Sequence, residues 1–201
     1  MNKNIALTII AAALMFSNAF AKDIELQSPD KKIKISIAVT DKITWSIKQG
    51  TTAILQASQL AMTLKNNVKL GVNPVLQHQK LSHHNNLLLA DIPVKSKKII
   101  NNYNELKLDF KGNYSLYFRA YDDGVAYRFE TQLGEALIEV ENEIADFNFG
   151  TNNRVFWPQE TDPKFLSHFE SLYKDSTLNP FSAQQHAALP MLVYAQSGIK
   201  M

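Results

Sequence analysis

The chain has 201 residues, a formal net charge of +2 and no cysteine. This near-neutral balance argues against a nucleic-acid-binding surface, which needs clustered lysine and arginine. Without cysteine there are neither disulfides nor thiolate metal sites, so the fold must be stabilised by its hydrophobic core.

The first 21 residues have the pattern of a cleavable secretory signal peptide. Lys3 gives a positive n-region, and residues 5–16 form an almost entirely apolar stretch. Ala19 and Ala21 stand at the two positions that signal peptidase reads, which predicts cleavage before Lys22. The alternative is a membrane anchor, but the stretch is short for crossing about 30 Å of hydrocarbon as a helix. We therefore expect an exported protein, periplasmic or extracellular, with no membrane span after cleavage.

Residues 22–201 are expected to form one domain whose strands alternate apolar and polar side chains. The first two alternating runs, 33–39 and 43–47, are separated at Asp41-Lys42, which is hairpin spacing. A third run covers 60–64. Such alternation buries one face of each strand and predicts antiparallel sheets.

The centre of the chain predicts a three-stranded meander over 106–110, 114–119 and 125–130. Lys111-Gly112-Asn113 and Asp122-Asp123-Gly124 provide its turns, the second because glycine tolerates positive φ. One face of these strands should be buried and should carry Tyr114, Leu116, Phe118, Val125, Tyr127 and Phe129. The opposite face should carry Arg119 and Arg128.

Later segments are shorter. Strands are expected over 138–141 and 147–149, over 154–157 with a stop at Pro158, and over 189–195. Asp162-Pro163 predicts a helix start, with an ordered loop as the alternative. Residues 83–86 and 95–98 are expected in loops or hairpin tips.

No familiar catalytic motif is present, and the remaining candidates for a metal site are weak. His83 and His84 are neighbours whose side chains would leave a strand on opposite faces, so a solvated loop is the simpler interpretation. Glu139, Glu141 and Glu143 would share one strand face. They could supply oxygen ligands to Ca²⁺ or simply form the solvated side of an edge strand. No complete metal site is expected.

Six residues are candidates for a substrate pocket or a domain interface. The aspartates of the Asp122-Asp123-Gly124 turn could in principle act as an acid/base pair, but bonding to their own backbone is the simpler role. The arginine could meet acids or a partner domain, and aromatic side chains both stack on sugars and pack cores. The candidates are Asp122, Asp123, Arg128, Trp157, Glu170 and Tyr173. None is assigned a catalytic role.

An ordered set of motifs resembles glycoside hydrolase family 97. Ser28-Pro29-Asp30 resembles the opening of its N-terminal domain, and the stretch from Phe118 to Phe129 resembles its central signature. Several shorter motifs follow in the family's order: Phe147-Asn148-Phe149, Trp157-Pro158, Glu170 with Tyr173, and Leu189-Pro190-Met191. The resemblance spans roughly residues 25–201. Lys31 departs from it, standing where the family often has glycine.

The resemblance implies an all-β fold, an antiparallel β-sandwich of the galactose-mutarotase-like super-sandwich type, here incomplete at its C-terminal end. It also implies exported α-glucosidases or α-galactosidases that use Ca²⁺ and carry their catalytic carboxylates on a following (β/α)8 barrel. The N-terminal domain of such enzymes walls the pocket, and the strand entered at Ile199 provides an acidic Ca²⁺ ligand.

The expected function is therefore that of an accessory, pocket-shaping and carbohydrate-binding domain, inactive by itself. A barrel needs about 250 residues, which this chain does not contain. Its partners would be the missing barrel and an α-linked oligosaccharide. The alternatives are a stand-alone exported carbohydrate-binding module and an exported structural protein without a role in sugar chemistry.

Overall fold

A computed structural model describes residues 23–134, 137–150, 152–160, 164, 171–178 and 185–195. Within these ranges the chain has no helix, and all strand pairs are antiparallel. The all-β prediction is confirmed. The signal segment, the Asp162-Pro163 helix start, Glu170 and Ile199 lie outside the described residues.

The first sheet is built from the N-terminal strands. It has six strands in the order β1-β2-β3-β4-β10, with β5 also paired to β4. Its members are β1 (Ile24–Gln27), β2 (Ile33–Val39), β3 (Ile43–Gln49), β4 (Thr52–Leu64), β5 (Lys69–Leu70) and β10 (Val140–Ala145). The predicted hairpin at Asp41-Lys42 joins β2 and β3.

The second sheet has four strands in the order β6-β7-β8-β9. Its members are β6 (Leu76–Leu89), β7 (Lys98–Phe110), β8 (Tyr114–Tyr121) and β9 (Val125–Thr131). The predicted meander is β7-β8-β9, with both turns at the predicted positions. Gly112 has φ of +100°, whereas Gly124 does not have positive φ, so the Asp122-Asp123-Gly124 turn forms without the conformation we expected there.

The two sheets pack face to face as a sandwich. The alternating apolar side chains of β1–β3 meet those of β7 and β8, because each strand turns every second residue inward. Buried residues from both sheets form one core, including Ile35, Ile37, Trp45, Leu108, Leu116 and Phe118. The predicted face is confirmed: Tyr114, Leu116 and Phe118 are buried, Val125, Tyr127 and Phe129 are half-buried against the core, and Arg128 is exposed.

A third, smaller sheet follows in sequence. Its central strand β11 (Arg154–Glu160) pairs with β12 (Tyr173–Thr177) on one side. On the other side β11 pairs with β13 (His186–Ala187) and β14 (Leu192–Tyr194). Its core is small and consists of Val155, Trp157 and Val193, with Phe149 among the residues packed against it.

Several local expectations are wrong. Residues 147–149 lie outside every described strand, and the strand expected over 138–141 is β10, which runs from Val140 to Ala145. Residues 83–86 lie in the middle of β6, where the cross-strand partners on β7 override their polar composition. Pro158 does not end β11. The Pro158 carbonyl oxygen accepts a hydrogen bond from Ala188 N. Because the nitrogen and the carbonyl of one strand residue face the same side, the Pro158 nitrogen also faces β13 and β14. It lies between the positions that pair with these two strands, so no ladder hydrogen bond is lost there. The run 189–195 is a strand only over Leu192–Tyr194.

The far end of the β6–β7 hairpin carries exposed apolar side chains, such as Leu89, Ile92, Val94 and Ile100. In the part of the chain that the structure describes, there is no helix with the length and hydropathy needed to cross a bilayer.

Candidate functional site

A cleft of about 680 Å³ opens between the two sheets beside β9. The first sheet contributes its floor from β3 and β4, and the β8–β9 turn and the start of β9 form the opposite wall. The lining is mainly apolar and aromatic, with two carboxylates at the turn: Ile33, Trp45, Ile47, Ile54, Leu55, Tyr127, Phe147, Phe149, Asp122 and Asp123 are among its residues.

The cleft exists because the sheets are offset. β1 packs on β7 and β8, and β2 packs on β8. Continuing this alignment places β3 opposite β9, which is the last strand of its sheet, and places β4 beyond it. Inner-face residues of β3 and β4 therefore line the cleft beside β9, although Trp45, Ile47 and Leu55 are themselves buried.

The aromatic rings in the cleft form one cluster around Trp45. The Trp45 ring meets Tyr127 and Phe147 edge-on, with centroids 5.4 and 5.8 Å apart. Trp45 is 2% exposed, and its Nε1 has no hydrogen-bond partner among the described residues. An apolar pocket with a few polar groups at its edge is the usual form of a ligand site.

Asp122 and Asp123 both line the cleft, and Asp122 also has a structural bond. The Asp30 main-chain N donates to Asp122 Oδ1 over 2.8 Å, which ties the N-terminal turn to the β8–β9 turn. Asp122 therefore bonds to a distant main-chain group and not, as expected, to its own turn. Asp123 is exposed and forms no ion pair among the described residues.

The N-terminal turn held by Asp122 is itself rich in polar contacts. Ser28 Oγ donates to Asp30 Oδ1 over 2.6 Å, and the Lys32 ammonium lies 2.9 Å from Asp30 Oδ2. The Ser28 hydroxyl, followed by the Lys32 main-chain and side-chain donors, holds the pKa of Asp30 well below its usual range. Lys31 lies in this turn with φ of +63°, the conformation that glycine adopts most readily.

Tyr127 connects the cleft to β10. Its hydroxyl donates to Glu143 Oε1 over 3.3 Å. Burial, followed by the charge of Glu143 and this hydrogen bond, raises the pKa of Tyr127 to about 12. The phenol therefore remains a neutral donor across the physiological range.

The other candidate residues are not brought into the cleft. Arg128 lies on the outer face of the second sheet, 4.5 Å from the Tyr117 ring centroid and 3.3 Å from Glu130. Trp157 is buried in the third sheet, where its Nε1 donates to Ser176 Oγ over 2.9 Å. Tyr173 is exposed in the same sheet, and its hydroxyl donates to the Pro190 carbonyl. Glu170 lies outside the described residues.

The described residues contain no group of three or more His, Asp or Glu side chains arranged to hold a metal ion. Glu139 pairs with Lys65, and Glu143 accepts from Tyr127. The ladder shifts between Val140 and Asn142, which breaks the single face expected for the three glutamates. These residues do not fit a Ca²⁺ site, and no chemical step is derived through one.

Sequence patterns did not single out Trp45, Tyr127 and Phe147 as site residues. Trp45 and Tyr127 stand in alternating runs whose apolar face is expected to be buried, and Phe147 belongs to a short predicted strand and to one of the family motifs.

Comparison with known proteins finds similarity to one part of several glycosidases. The retaining alpha-galactosidase of Bacteroides thetaiotaomicron is 28% identical over 206 residues, covering 99% of this chain and 31% of that protein. A family 97 glycoside hydrolase from Pseudoalteromonas sp. strain K8, solved with panose, has a TM-score of 0.74 at 21% identity over 88% of this chain and 27% of its own. A beta-arabinopyranosidase has a TM-score of 0.76 at 22% identity over 87% of this chain and 30% of its own.

The two structural likenesses show the fold, and the chain spans less than a third of the length of each of these relatives. The model of the glycosyl-hydrolase 97 N-terminal region matches residues 26–201, almost the same extent as the resemblance drawn from the motifs. The chain therefore belongs to the N-terminal domain family of glycoside hydrolase family 97.

Proposed function

We propose that this chain is the non-catalytic N-terminal part of an exported α-glycosidase, and that it helps to form the substrate pocket and contacts the sugar. The observation that carries the proposal is the cleft, where Asp122 and Asp123 stand beside an aromatic cluster. Carboxylates that accept from sugar hydroxyls, next to aromatic faces, suit a carbohydrate. The substrate would be an α-linked oligosaccharide, and the catalytic partner a (β/α)8 barrel of the same polypeptide.

The same geometry gives no support for catalysis by this chain. Glycoside hydrolysis needs an acid and a base or nucleophile about 5–10 Å apart across the bond. Asp122 is engaged with the Asp30 amide, and Asp123 is an exposed turn residue. Ca²⁺ is proposed only for the full-length enzyme, as are the export route and the periplasmic or extracellular location.

Sugar contact is tested by titrating the ¹⁵N-labelled chain with maltotriose and with raffinose, which present an α-glucoside and an α-galactoside. We expect shifts of the amides of 122–127. Asp123→Asn should weaken binding at least fivefold. Asp41→Asn, which changes an exposed aspartate in a different hairpin turn, should leave it unchanged. Equal effects of the two substitutions, or no shifts in the cleft, would contradict sugar binding here.

The division of labour is tested on nitrophenyl α-glucoside and α-galactoside in the presence of Ca²⁺. The chain alone should show no turnover, and a polypeptide extended through a barrel should be active. Turnover by the chain alone that is lost in Asp122→Asn or Asp123→Asn would overturn the proposal.

A further inference from the structure

We propose that the projecting end of the β6–β7 hairpin binds the surface of an anionic phospholipid membrane. This hairpin arm consists of residues 85–102, none of which lines the cleft. The arm would hold the domain at a membrane surface without spanning the bilayer. That role is separate from the proposed contact with sugar and goes beyond it.

The hairpin arm extends past the rest of the second sheet. β8 pairs with β7 only from Tyr103 onward, so residues 98–102 have β6 as their only partner among the described strands. Five cross-strand pairs form the arm, from Asn85–Asn102 to Leu89–Lys98. At about 3.3 Å per residue, they carry the closing loop about 17 Å beyond β8. Ala90 N donates to Lys97 O and closes that loop.

The arm is apolar on both of its faces. Neighbouring residues of a strand point to opposite faces, so the pair Leu87–Ile100 lies on one face and the pair Leu88–Ile99 on the other. All four side chains are exposed, and the loop adds Ile92 and Val94, which are 81% and 87% exposed. The surface of a folded partner domain would cover one face of such a ribbon. A lipid layer surrounds the ribbon, which favours a membrane over a protein partner.

The charges of the arm specify an anionic membrane. Lys95, Lys97 and Lys98 are exposed and outnumber the single acid, Asp91. In the part of the chain that the structure describes, none of these lysines forms an ion pair. Lysine can lay its aliphatic stem along an apolar surface while its ammonium group contacts phosphate. Basic residues beside an inserted apolar group are the usual means of binding an anionic leaflet.

The base of the arm limits how deeply it can enter. Four asparagines form a polar collar there, and Asn101 Nδ2 donates to Asn86 Oδ1 over 2.8 Å. Both edges of the arm also lack a neighbouring strand among the described ones, and unpaired backbone groups do not enter hydrocarbon. The arm should therefore enter only the interfacial region, about 5–10 Å deep, with Ile92 and Val94 leading.

The test measures binding to vesicles by flotation. It uses the chain from Lys22 onward, because the apolar residues 5–16 could bind lipid themselves. Binding to phosphatidylcholine vesicles that contain about one-third phosphatidylglycerol should be about tenfold tighter than to phosphatidylcholine alone. Raising NaCl from about 0.05 to about 0.5 M should weaken it, because salt screens the lysines.

A fluorescent label locates the contact. The chain has no cysteine, so Val94→Cys provides a single site for an environment-sensitive nitrobenzoxadiazole label. Its emission should rise and shift to the blue when vesicles are added. The control is the same label on Lys111→Cys, in the turn at the opposite end of β7, where the emission should not change.

Matched variants separate the arm from general stickiness. Ile92→Ser combined with Val94→Ser should weaken vesicle binding about tenfold, and so should exchange of the three lysines for glutamine. The control combines Val75→Ser with Leu137→Ser, two exposed apolar residues outside the arm, and should bind like the original chain.

Four results would overturn the proposal. The first two are the absence of vesicle binding and equal binding by the tip variant and its control. The other two are a label at position 94 that is shielded from water without lipid, in a concentration-dependent dimer or in a polypeptide extended through a barrel. Those would assign the arm to a second copy or to the barrel. Vesicle binding is measured without sugar or turnover, so its failure is distinguishable from failure of the proposed function.

Discussion

The sandwich and the third sheet achieve their stability in different ways. The sandwich buries alternating side chains from two sheets in one large core, whereas the described hydrophobic cluster of the third sheet has three buried residues, Val155, Trp157 and Val193. The third sheet compensates with polar contacts, such as the Arg154–Asp175 ion pair and the bond from Trp157 to Ser176. Exposed ion pairs contribute little, so we expect the third sheet to open first.

The largest effect should come from Phe118→Ala in the sandwich. Phe118 is fully buried and lies beside Trp45, with ring centroids 6.0 Å apart. Removing the ring leaves a cavity and should lower the free energy of unfolding by about 3–5 kcal/mol, measured by urea denaturation. Phe156→Ala, which removes a half-exposed ring from the third sheet, is the control and should cost less. Equal losses of unfolding free energy in the two variants would contradict the proposed difference in core packing between the sandwich and the third sheet.

Gly71→Ala should also destabilise the sandwich. Gly71 has φ of +81°, and a Cβ there would lie 2.6 Å from the Leu60 carbonyl oxygen. Gly50 has φ of +58° with open space around it, so Gly50→Ala measures the backbone penalty alone, about 1–2 kcal/mol. We expect a clearly larger loss of unfolding free energy for Gly71→Ala than for Gly50→Ala in the same urea experiment. An equal or smaller loss would show that β4 can shift to accommodate the added methyl group.

Val193→Ala should weaken only the third sheet. Val193 is 2% exposed, and removing two methyl groups should cost about 1.5 kcal/mol. Hydrogen exchange should accelerate in β11, β12 and β14 and remain unchanged in β2, β3 and β8. Uniform acceleration over both regions would show that they unfold as one unit.

Tyr127→Phe should alter the response of the sandwich to alkaline pH. The pKa of Tyr127 is raised to about 12, above the usual value of about 10, so its contribution is complete below pH 10 and is lost as pH rises through 12. The variant should therefore lose less stability than the original chain between pH 10 and 12, measured by urea unfolding. Glu143→Gln should act in the same direction. If the free energy of unfolding falls equally with pH in the original chain and in both variants, the loss of stability does not come from Tyr127.

Local alternation predicted the sandwich well because one-sided burial leaves a period of two in the sequence. The β2–β3 hairpin and the β7-β8-β9 meander follow directly from it. The alternation pattern gave wrong predictions where pairing with a distant strand determines the local structure. Residues 83–86 are polar but stay in β6 because β7 provides a partner along its whole length. Pro158 continues β11 because its nitrogen faces a part of the ladder where no bond is required.

The site was only half predictable. Asp122 and Asp123 were identified from their turn and do line the cleft. The cleft itself depends on how far one sheet extends past the other, which no local pattern encodes. Trp157 was a candidate for either sugar contact or core packing, and it is buried with its nitrogen bonded, whereas Trp45 was expected in the core and also lines the cleft. The roles of all six candidates remain predictions.

The bond from the Asp30 amide to Asp122 also has a consequence for the order of events during synthesis. The two residues are 92 positions apart in sequence. At about 5–20 residues per second, a ribosome takes roughly 5–20 s to travel from one to the other. During that interval the first turn lacks its anchor and β1 lacks the second sheet to cover it. The first turn therefore gains this anchor only after more than half of the chain has been synthesised.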